Sequence, residues 1–260
     1  MVPTVQATRY VTPLREGGSL PGIVEASDSG LYVLKFRGAG QGPLALVAEL
    51  VAAEIGRALG LKVPDLVLIE VDAALGRNEP DPEIRDLLKA SVGLNLGVDY
   101  LPGSVTFDPA ARDAVEADLA SSIVWFDAFI TNVDRTPRNP NLLWWHKTLY
   151  LIDHGAALYF HHNWESGAQM ARSRFPAIRD HVLLPWADRI EEADARLRPQ
   201  LDEALFARVI EEIPEIWLSP EPGLSNPVDR RTGYLEFLTR RLEAAAEFVE
   251  EAVRARAQLV

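Results

Sequence analysis

The chain contains no cysteine. That removes disulfides, thiolate nucleophiles and cysteine-based zinc sites, and it suits a reducing compartment. No uninterrupted apolar run reaches roughly 18 residues, the length a helix needs to span a bilayer. The opening MVPTVQATRY also lacks the basic-then-apolar order of a signal peptide. The expected location is therefore the cytoplasm, with no membrane partner. Excess positive charge is missing as well: a formal net charge of -12 and a pI near 4.9 make the surface repel phosphate polyanions, which excludes general nucleic-acid binding. Lysine is scarce, with Lys35, Lys62, Lys89 and Lys147 the four among 26 basic residues. His146, His154, His161, His162 and His181 show no H-E-x-x-H or similar ligand spacing. No G-x-S-x-G nucleophile elbow occurs either.

What is present fits a folded protein. Apolar residues make up 48% and charged residues 25%, far from disordered compositions. A chain of 260 residues can form one large domain or two lobes sharing a cleft.

From Tyr10 to Arg37 the pattern is strand-like, interrupted by the loop EGGSLPG, and GLYVLKFRG alternates so that Leu31, Val33 and Lys35 share one face. Leu44 to Leu59 has helical length without internal proline, and Gly60 and Pro64 signal its end. DLVLIEVD reads as a strand, and the acidic, proline-containing piece from Asn78 to Asp86 as a surface excursion. GLNLGVDYLPGSVTFDP combines a strand with turn residues, and a lobe boundary is expected near Pro102 to Pro109. A long helix is expected from Pro109 to about Ile130, with Leu119, Ile123, Phe126 and Ile130 on one face. LLWW, a polar HKT turn and LYLID read as a hairpin ending at Asp153. Beyond Pro185 the chain is mostly helical, closing with an amphipathic helix through Tyr234, Leu238, Leu242 and Val249. Sheet-rich first and helix-rich second, the layout is α+β and two-lobed, with residues 1–105 as one lobe and 106–260 as the other.

Between the long helix and the hairpin lies TNVDRTPRNPN, where Asp134 and Asn139 stand five apart, and Asp153 follows fourteen residues later ahead of His154 and Gly155. Phosphoryl transfer needs such a set. Its transition state is stabilised by positioning and charge neutralisation, with a carboxylate near the attacking hydroxyl and oxygen ligands for magnesium. Asp134 fits the first role, and Asn139 and Asp153 the second. Asn141 reads either as turn chemistry or as a second polar ligand, and Arg135 as a support for the loop, a phosphate contact or a solvated charge.

DRTPRN followed by a hairpin and DHG resembles the protein-kinase-like superfamily, in which D-x-x-x-x-N precedes a metal-binding D-x-G. The order Asp-Arg without a preceding histidine is similar to the phosphatidylinositol-kinase and HipA branch, and most of all to HipA-like kinase domains. That resemblance implies a two-lobed kinase using ATP and Mg2+. It implies that Lys35 meets the nucleotide phosphates and pairs with a helix glutamate. Family spacing selects Glu49, which shares its face with Ala45, Ala52, Ala53 and Gly56; its rival Glu54 lies among the larger Val47, Leu50, Val51 and also Ala58. Gly17, Gly18 and Ser19 are expected to cover the phosphates, although EGGSLPG has no G-x-G-x-x-G. Asp99, Tyr100 and Leu101 are expected to meet adenine through backbone groups. The phosphate acceptor is an unknown protein or small molecule, with a protein Ser/Thr hydroxyl favoured by the resemblance. An ATP-binding pseudokinase or interaction module and a small-molecule phosphotransferase are the alternatives.

Overall fold

The structure, a computed structural model, describes residues 1–14, 20–77, 79–111, 115–218 and 226–259. Its first part comprises β1 (Thr4–Pro13), β2 (Gly22–Ala26), β3 (Leu31–Lys35), α1 (Gly42–Ala58), β4 (Leu66–Val71), α2 (Pro82–Ala90) and β5 (Gly93–Asp99). The five strands close into a barrel in the order β1-β2-β3-β5-β4. Closure depends on β1, whose register with β2 shifts between Ala7 and Arg9 and again between Tyr10 and Thr12. Such irregularities bend a strand and increase its twist. The start of β1, Thr4 to Gln6, can thus pair in parallel with β4 while the rest runs antiparallel to β2.

Val24, Leu34, Val67 and Ile69 fill the barrel. They leave no space opposite Gly97 in β5, where a Cβ would lie 2.4 Å from Ile69 Cδ1 and 2.8 Å from Val67 Cγ2. The side chains of β3 alternate as its sequence requires: Tyr32 and Leu34 are buried, while Val33 and Lys35 are half-buried on the opposite face.

Helix α1 is apolar nearly all round, with Leu46 to Ala53, Ile55 and Gly56 buried, as befits a helix enclosed by the fold. It stops at Gly60, whose φ is +77°. Gly60 N–H donates to Arg57 O and Leu61 N–H to Gly56 O, the paired bonds that close a helix through a left-handed glycine. Within this apolar cylinder Glu49 is only 2% exposed, and a buried carboxylate needs partners.

The second part comprises β6 (Val105–Thr106), α3 (Ala117–Phe129), β7 (Leu142–Trp145), β8 (Thr148–Leu151), α4 (Gly167–Ala171), α5 (Ile190–Leu197), α6 (Glu203–Glu211), α7 (Pro227–Glu243) and α8 (Ala245–Ala257). Strands β6, β7 and β8 form a small antiparallel sheet. Its hairpin turns on His146 and Lys147, both at positive φ (48° and 63°), the geometry of a two-residue loop. Helix α3 is buried from Ala120 to Phe129, with Trp125 stacked on Phe129 at 5.6 Å. Its last carbonyls have no helical partner. Arg241 of α7 supplies one, donating to Ala128 O at 2.7 Å and Phe129 O at 3.3 Å.

Three sequence expectations require correction. The piece from Asn78 to Asp86 is not all excursion: α2 starts at Pro82, capped by Asp81, whose carboxylate accepts from Glu83 N–H at 3.0 Å. Ile84 and Leu88, one turn apart, are its buried stripe. The helix expected from Pro109 starts instead at Ala117, because Asp108 folds the chain into a turn, accepting from Ala110 N–H with its side chain and from Ala111 N–H with its carbonyl. The closing helix is two helices, broken at Ala244, where ψ is 17°.

Gly97→Val should overpack the barrel and lower stability by about 1–3 kcal/mol in chemical denaturation. Gly40→Ala is the control: its Cβ would meet nothing within 4 Å, and its effect should stay within about 0.5 kcal/mol.

Candidate active site

Lys35, at the end of β3, donates to Glu49 Oε2 at 3.1 Å and to Asp153 Oδ1 at 2.6 Å. Glu49 also accepts from His154 N–H at 2.9 Å, and its other oxygen lies 3.3 Å from His154 Nδ1. Burial opposes charge on both partners, but the attraction wins. The Lys35 ammonium is held above its usual range by Glu49 and Asp153. Burial raises the Glu49 carboxyl, yet Lys35 and His154 hold it well below the carboxylate range. Glu54, its rival, pairs instead with Arg57 at 3.1 Å. The apolar neighbours that surround Glu54 on a helical wheel do not decide the matter, because the middle of α1, Leu46 to Ala53, is buried all round, Glu49 included.

A second buried charge organises the loop after α3. Asp127 is 0% exposed and receives three side-chain partners: Arg135 Nε at 2.5 Å, His181 Nε2 at 2.9 Å and Asn132 Nδ2 at 3.0 Å. His181 Nδ1 accepts from Leu183 N–H at 3.0 Å, so Nε2 carries the proton donated to Asp127. Burial pushes the His181 imidazole down, which keeps it neutral in this role. Asp127 itself, despite its burial, is held well below the carboxylate range by Arg135 and His181. Arg135 then spans to the hairpin, donating to Asn141 O and, at 3.3 Å, to Ile152 O. It thereby ties together the two ends of the hairpin, next to Asp153. Of the three readings open for Arg135, the structure shows loop support.

On this scaffold Asn132 Oδ1 accepts from Asp134 N–H at 3.2 Å, and Asn139 Nδ2 donates to Asp134 Oδ2 at 2.7 Å. Thr136 and Asn139 exchange backbone bonds at 3.0 and 3.1 Å, so TPRN is a closed turn that holds Asn139 against Asp134. Asn141, directly before β7, is buried and donates toward Asp153 O at 3.5 Å, and its amide favours the charged form of Asp134. It sits between the two aspartates, while Asn139 lies exposed on the outer side of Asp134. Burial first, and then the Asp153 charge, raise the Asp134 carboxyl above its ordinary value. Asn141 and Asp153 both adopt positive φ, 50° and 55°, a strained backbone held by the surrounding bonds.

Lys35, Glu49, Asp153 and Gly155 line one recess together with Ala45 and Gly42. A larger one of about 490 Å³ lies elsewhere and includes Asp28, Glu54, Asp65, Asp99 and Glu212. Those carboxylates repel phosphate, so volume is a poor guide to the site here. The adenine contact expected of Asp99 is through its backbone; its side chain lines this acidic recess, where burial and then Asp65 and Asp28 raise its carboxyl. Its N–H donates to Asp65 O at 2.8 Å, and that of Tyr100 to Leu31 O at 3.0 Å. Leu101 is buried beside them. Gly17, Gly18 and Ser19 lie outside the described residues.

The chemistry of the donor set fits a divalent cation shared with phosphates. Lys35 is one cation among Glu49, Asp134 and Asp153, so a polyphosphate needs further positive charge there. Magnesium takes one or two carboxylates plus phosphate oxygens rather than a full protein cage. Among the described residues, no group of three or more His, Asp or Glu side chains is placed to hold a metal by itself.

Asp127, Asn132, His154 and His181 are the supports that sequence reading missed. Asp127 had a legible signal, since it is the one charged residue in LASSIVWFDAFI, Leu119 to Ile130. His181, 54 residues away along the chain, had none.

Asp127→Ala should cost about 3–5 kcal/mol in chemical denaturation, because it strands the Arg135 charge, and adding Arg135→Met should recover part of that. Carboxylates held low contribute stability that is complete above the unfolded-state values, about 3.9 for Asp and 4.3 for Glu. Stability should thus begin to fall as pH drops past about 4, and Glu49→Gln should make that fall shallower.

A comparison with curated proteins finds no match. Among solved structures, the crystal structure of the Helicobacter pylori proinflammatory kinase CtkA aligns over 99% of both chains with a TM-score of 0.56 and 15% identity. At that identity the likeness speaks for the fold. The description of HipA-like kinases matches residues 8–249. With that match covering nearly the whole sequence, the chain belongs to the HipA-like kinase family.

Proposed function

We propose that the protein is a two-lobed kinase, residues 1–105 and 106–260, that transfers the γ-phosphoryl group of ATP to a hydroxyl of a protein Ser or Thr. The observation that carries this reading is Lys35 held between Glu49 and Asp153, with Asp134 and its amide partners on the adjoining loop.

Bound ATP with Mg2+ supplies the phosphoryl group and the positive charge that offsets the three carboxylates. Lys35 contacts nucleotide phosphates, and Glu49, fixed by His154, keeps its ammonium from swinging away. Leu96 pairs with Lys35 across β3 and β5, and Asp99 lies three residues further along, roughly 10 Å at strand rise. That separation suits a nucleotide with its base near Leu101, whose N–H is the donor we assign to it, and its phosphates near Lys35.

Asp134 orients the acceptor hydroxyl and takes its proton late in transfer. Its carboxyl, raised by burial and by the Asp153 charge, is a better proton acceptor than an ordinary aspartate. Asp153, with the amides of Asn139 and Asn141, provides the oxygen donors for the metal. Asn141 is the better placed of the two amides, since it is buried near both Asp134 and Asp153, whereas Asn139 is exposed.

Thermal unfolding of the full chain with ATP and Mg2+ is the first test. Ligand at about 100 times its Kd adds about 2.7 kcal/mol, which raises the midpoint by roughly 5–10 °C for this size. Absence of a shift with every nucleotide overturns the proposal. With radiolabelled ATP, Asp134→Asn should lose about 100- to 10,000-fold in turnover while keeping the shift; equal turnover in wild type and variant would show that Asp134 is not the base. Asn141→Ala should weaken the magnesium dependence more than Asn139→Ala.

A further inference from the structure

Lys35 and Glu49 are joined by a connection with little stiffness of its own. Between Lys35, the end of β3, and Gly42, the start of α1, the chain reads FRGAGQ, so that Gly38, Gly40 and Gly42 alternate with other residues. Glycine loses more conformational freedom on folding than any other residue. A Cβ on Gly40 or Gly42 would meet nothing within 4 Å, so close packing does not hold that half of the connection. Phe36 is anchored in the barrel interior. From Arg37 onward the chain needs another hold if Lys35 Nζ is to meet Glu49 Oε2 at 3.1 Å.

The hold comes from the stretch between α2 and β5. The ladder between β3 and β5 ends at Lys35 and Leu96. Beyond it the side chain of Asn95 takes over, its Oδ1 accepting from Arg37 N–H at 2.8 Å. Asn95 Nδ2 donates to Ser91 O at 2.7 Å and to Gly93 O at 2.8 Å. Ser91 Oγ accepts from Gly38 N–H at 3.1 Å, and Arg37 Nη2 donates to Val92 O at 2.7 Å. Gly38 packs directly on the end of α2, where a Cβ would come 2.8 Å from the Ala90 carbonyl. The anchoring stretch is itself gripped from the helical part: Trp217, buried in the turn after α6, donates from Nε1 to Leu94 O at 3.0 Å.

Asn95 and Ser91 are both 0% exposed, and polar groups buried to that degree need their partners. Those partners dictate the residue. One N–H requires an acceptor and two carbonyls require donors, and a side chain of this size supplies both only as an amide. Aspartate, of the same shape, offers acceptors alone when ionised, and leucine offers neither. The same requirement fixes which end of the amide is oxygen.

We propose that Asn95, seconded by Ser91, is a positioning residue for Lys35. It fixes the backbone just after the lysine, and so sets how β3 hands over to α1 and how Lys35 meets Glu49. Asn95 acts through Lys35 and touches no substrate. The inference rests on the nucleotide-phosphate role proposed for Lys35.

Selective 13C labelling of lysine provides the test. Four lysines give four ε-methylene signals, and that of Lys35 is the one lost in Lys35→Met. In nucleotide-free, folded protein, Asn95→Ala should move the Lys35 signal toward those of the exposed Lys62 and Lys147 and leave those two in place. Ser91→Ala removes one bond and should move it the same way by less; it carries the test if Asn95→Ala does not fold. With ATP and Mg2+, Asn95→Ala should lose about 10- to 100-fold in kcat/KM and keep its affinity for adenosine. Added to Lys35→Met, it should change ATP affinity by less than about twofold, whereas a merely structural loss would persist in that background. A Lys35 signal unmoved in the folded variants, or an equal loss of ATP affinity with and without Lys35, would overturn the proposal. The lysine signal needs no nucleotide, so a wild type that binds no ATP would sink the kinase reading, while the signal still decides whether Asn95 positions Lys35.

Discussion

The candidate site depends on one constraint: Asp127 keeps a full negative charge inside an apolar helix. Such a charge persists only when its oxygens are saturated by donors. The donors recruited are Asn132, Arg135 and His181, from the start of the loop, its middle, and a segment beyond the hairpin. Each carries a further structural duty. Asn132 orients the Asp134 backbone, Arg135 holds the carbonyls on either side of the hairpin, and the His181 ring receives Leu183 N–H. Satisfying one buried carboxylate therefore determines where Asp134, Asn141 and Asp153 stand.

Glu49 repeats the logic from the barrel side. Enclosed in α1, it is satisfied by Lys35 from β3 and by His154 from the end of the hairpin. Two buried carboxylates, each on a helix, thus hold neighbouring residues: Glu49 bonds His154 directly, and Asp127 reaches Ile152 through Arg135. The candidate side chains of Asp134, Asn139 and Asp153, by contrast, are on loops and at least partly exposed, that of Asp153 being 46% exposed. This division is physically sensible: fully buried charges fix geometry, whereas groups that must meet a ligand retain access to it.

Much of this was legible along the chain because it depends on local chemistry. Alternation placed Lys35 on the open face of β3, Gly60 ended α1, and His146 with Lys147 turned the hairpin that delivers Asp153. The readings that failed were competitions between local signals. Asp108-Pro109 and Asp81-Pro82 look alike as dipeptides, yet the first makes a turn and the second opens a helix. The difference is the buried pair Ile84 and Leu88, which rewards helix formation after Pro82. The break at Ala244 left no comparable mark.

Sequence alone determined most of the order of elements and pointed to Asp134, Asn139 and Asp153 as a candidate phosphoryl-transfer set, with Lys35 added by the family resemblance, because strand period, turn residues and the D-x-x-x-x-N spacing are properties of neighbours. Only the tertiary structure decided between Glu49 and Glu54, placed Asn141 between the two aspartates, and revealed Asp127 and His181 as partners. Those choices rest on which buried donor reaches which buried acceptor across 14 to 118 residues of chain. No local pattern encodes such pairings, since burial is created by the fold as a whole.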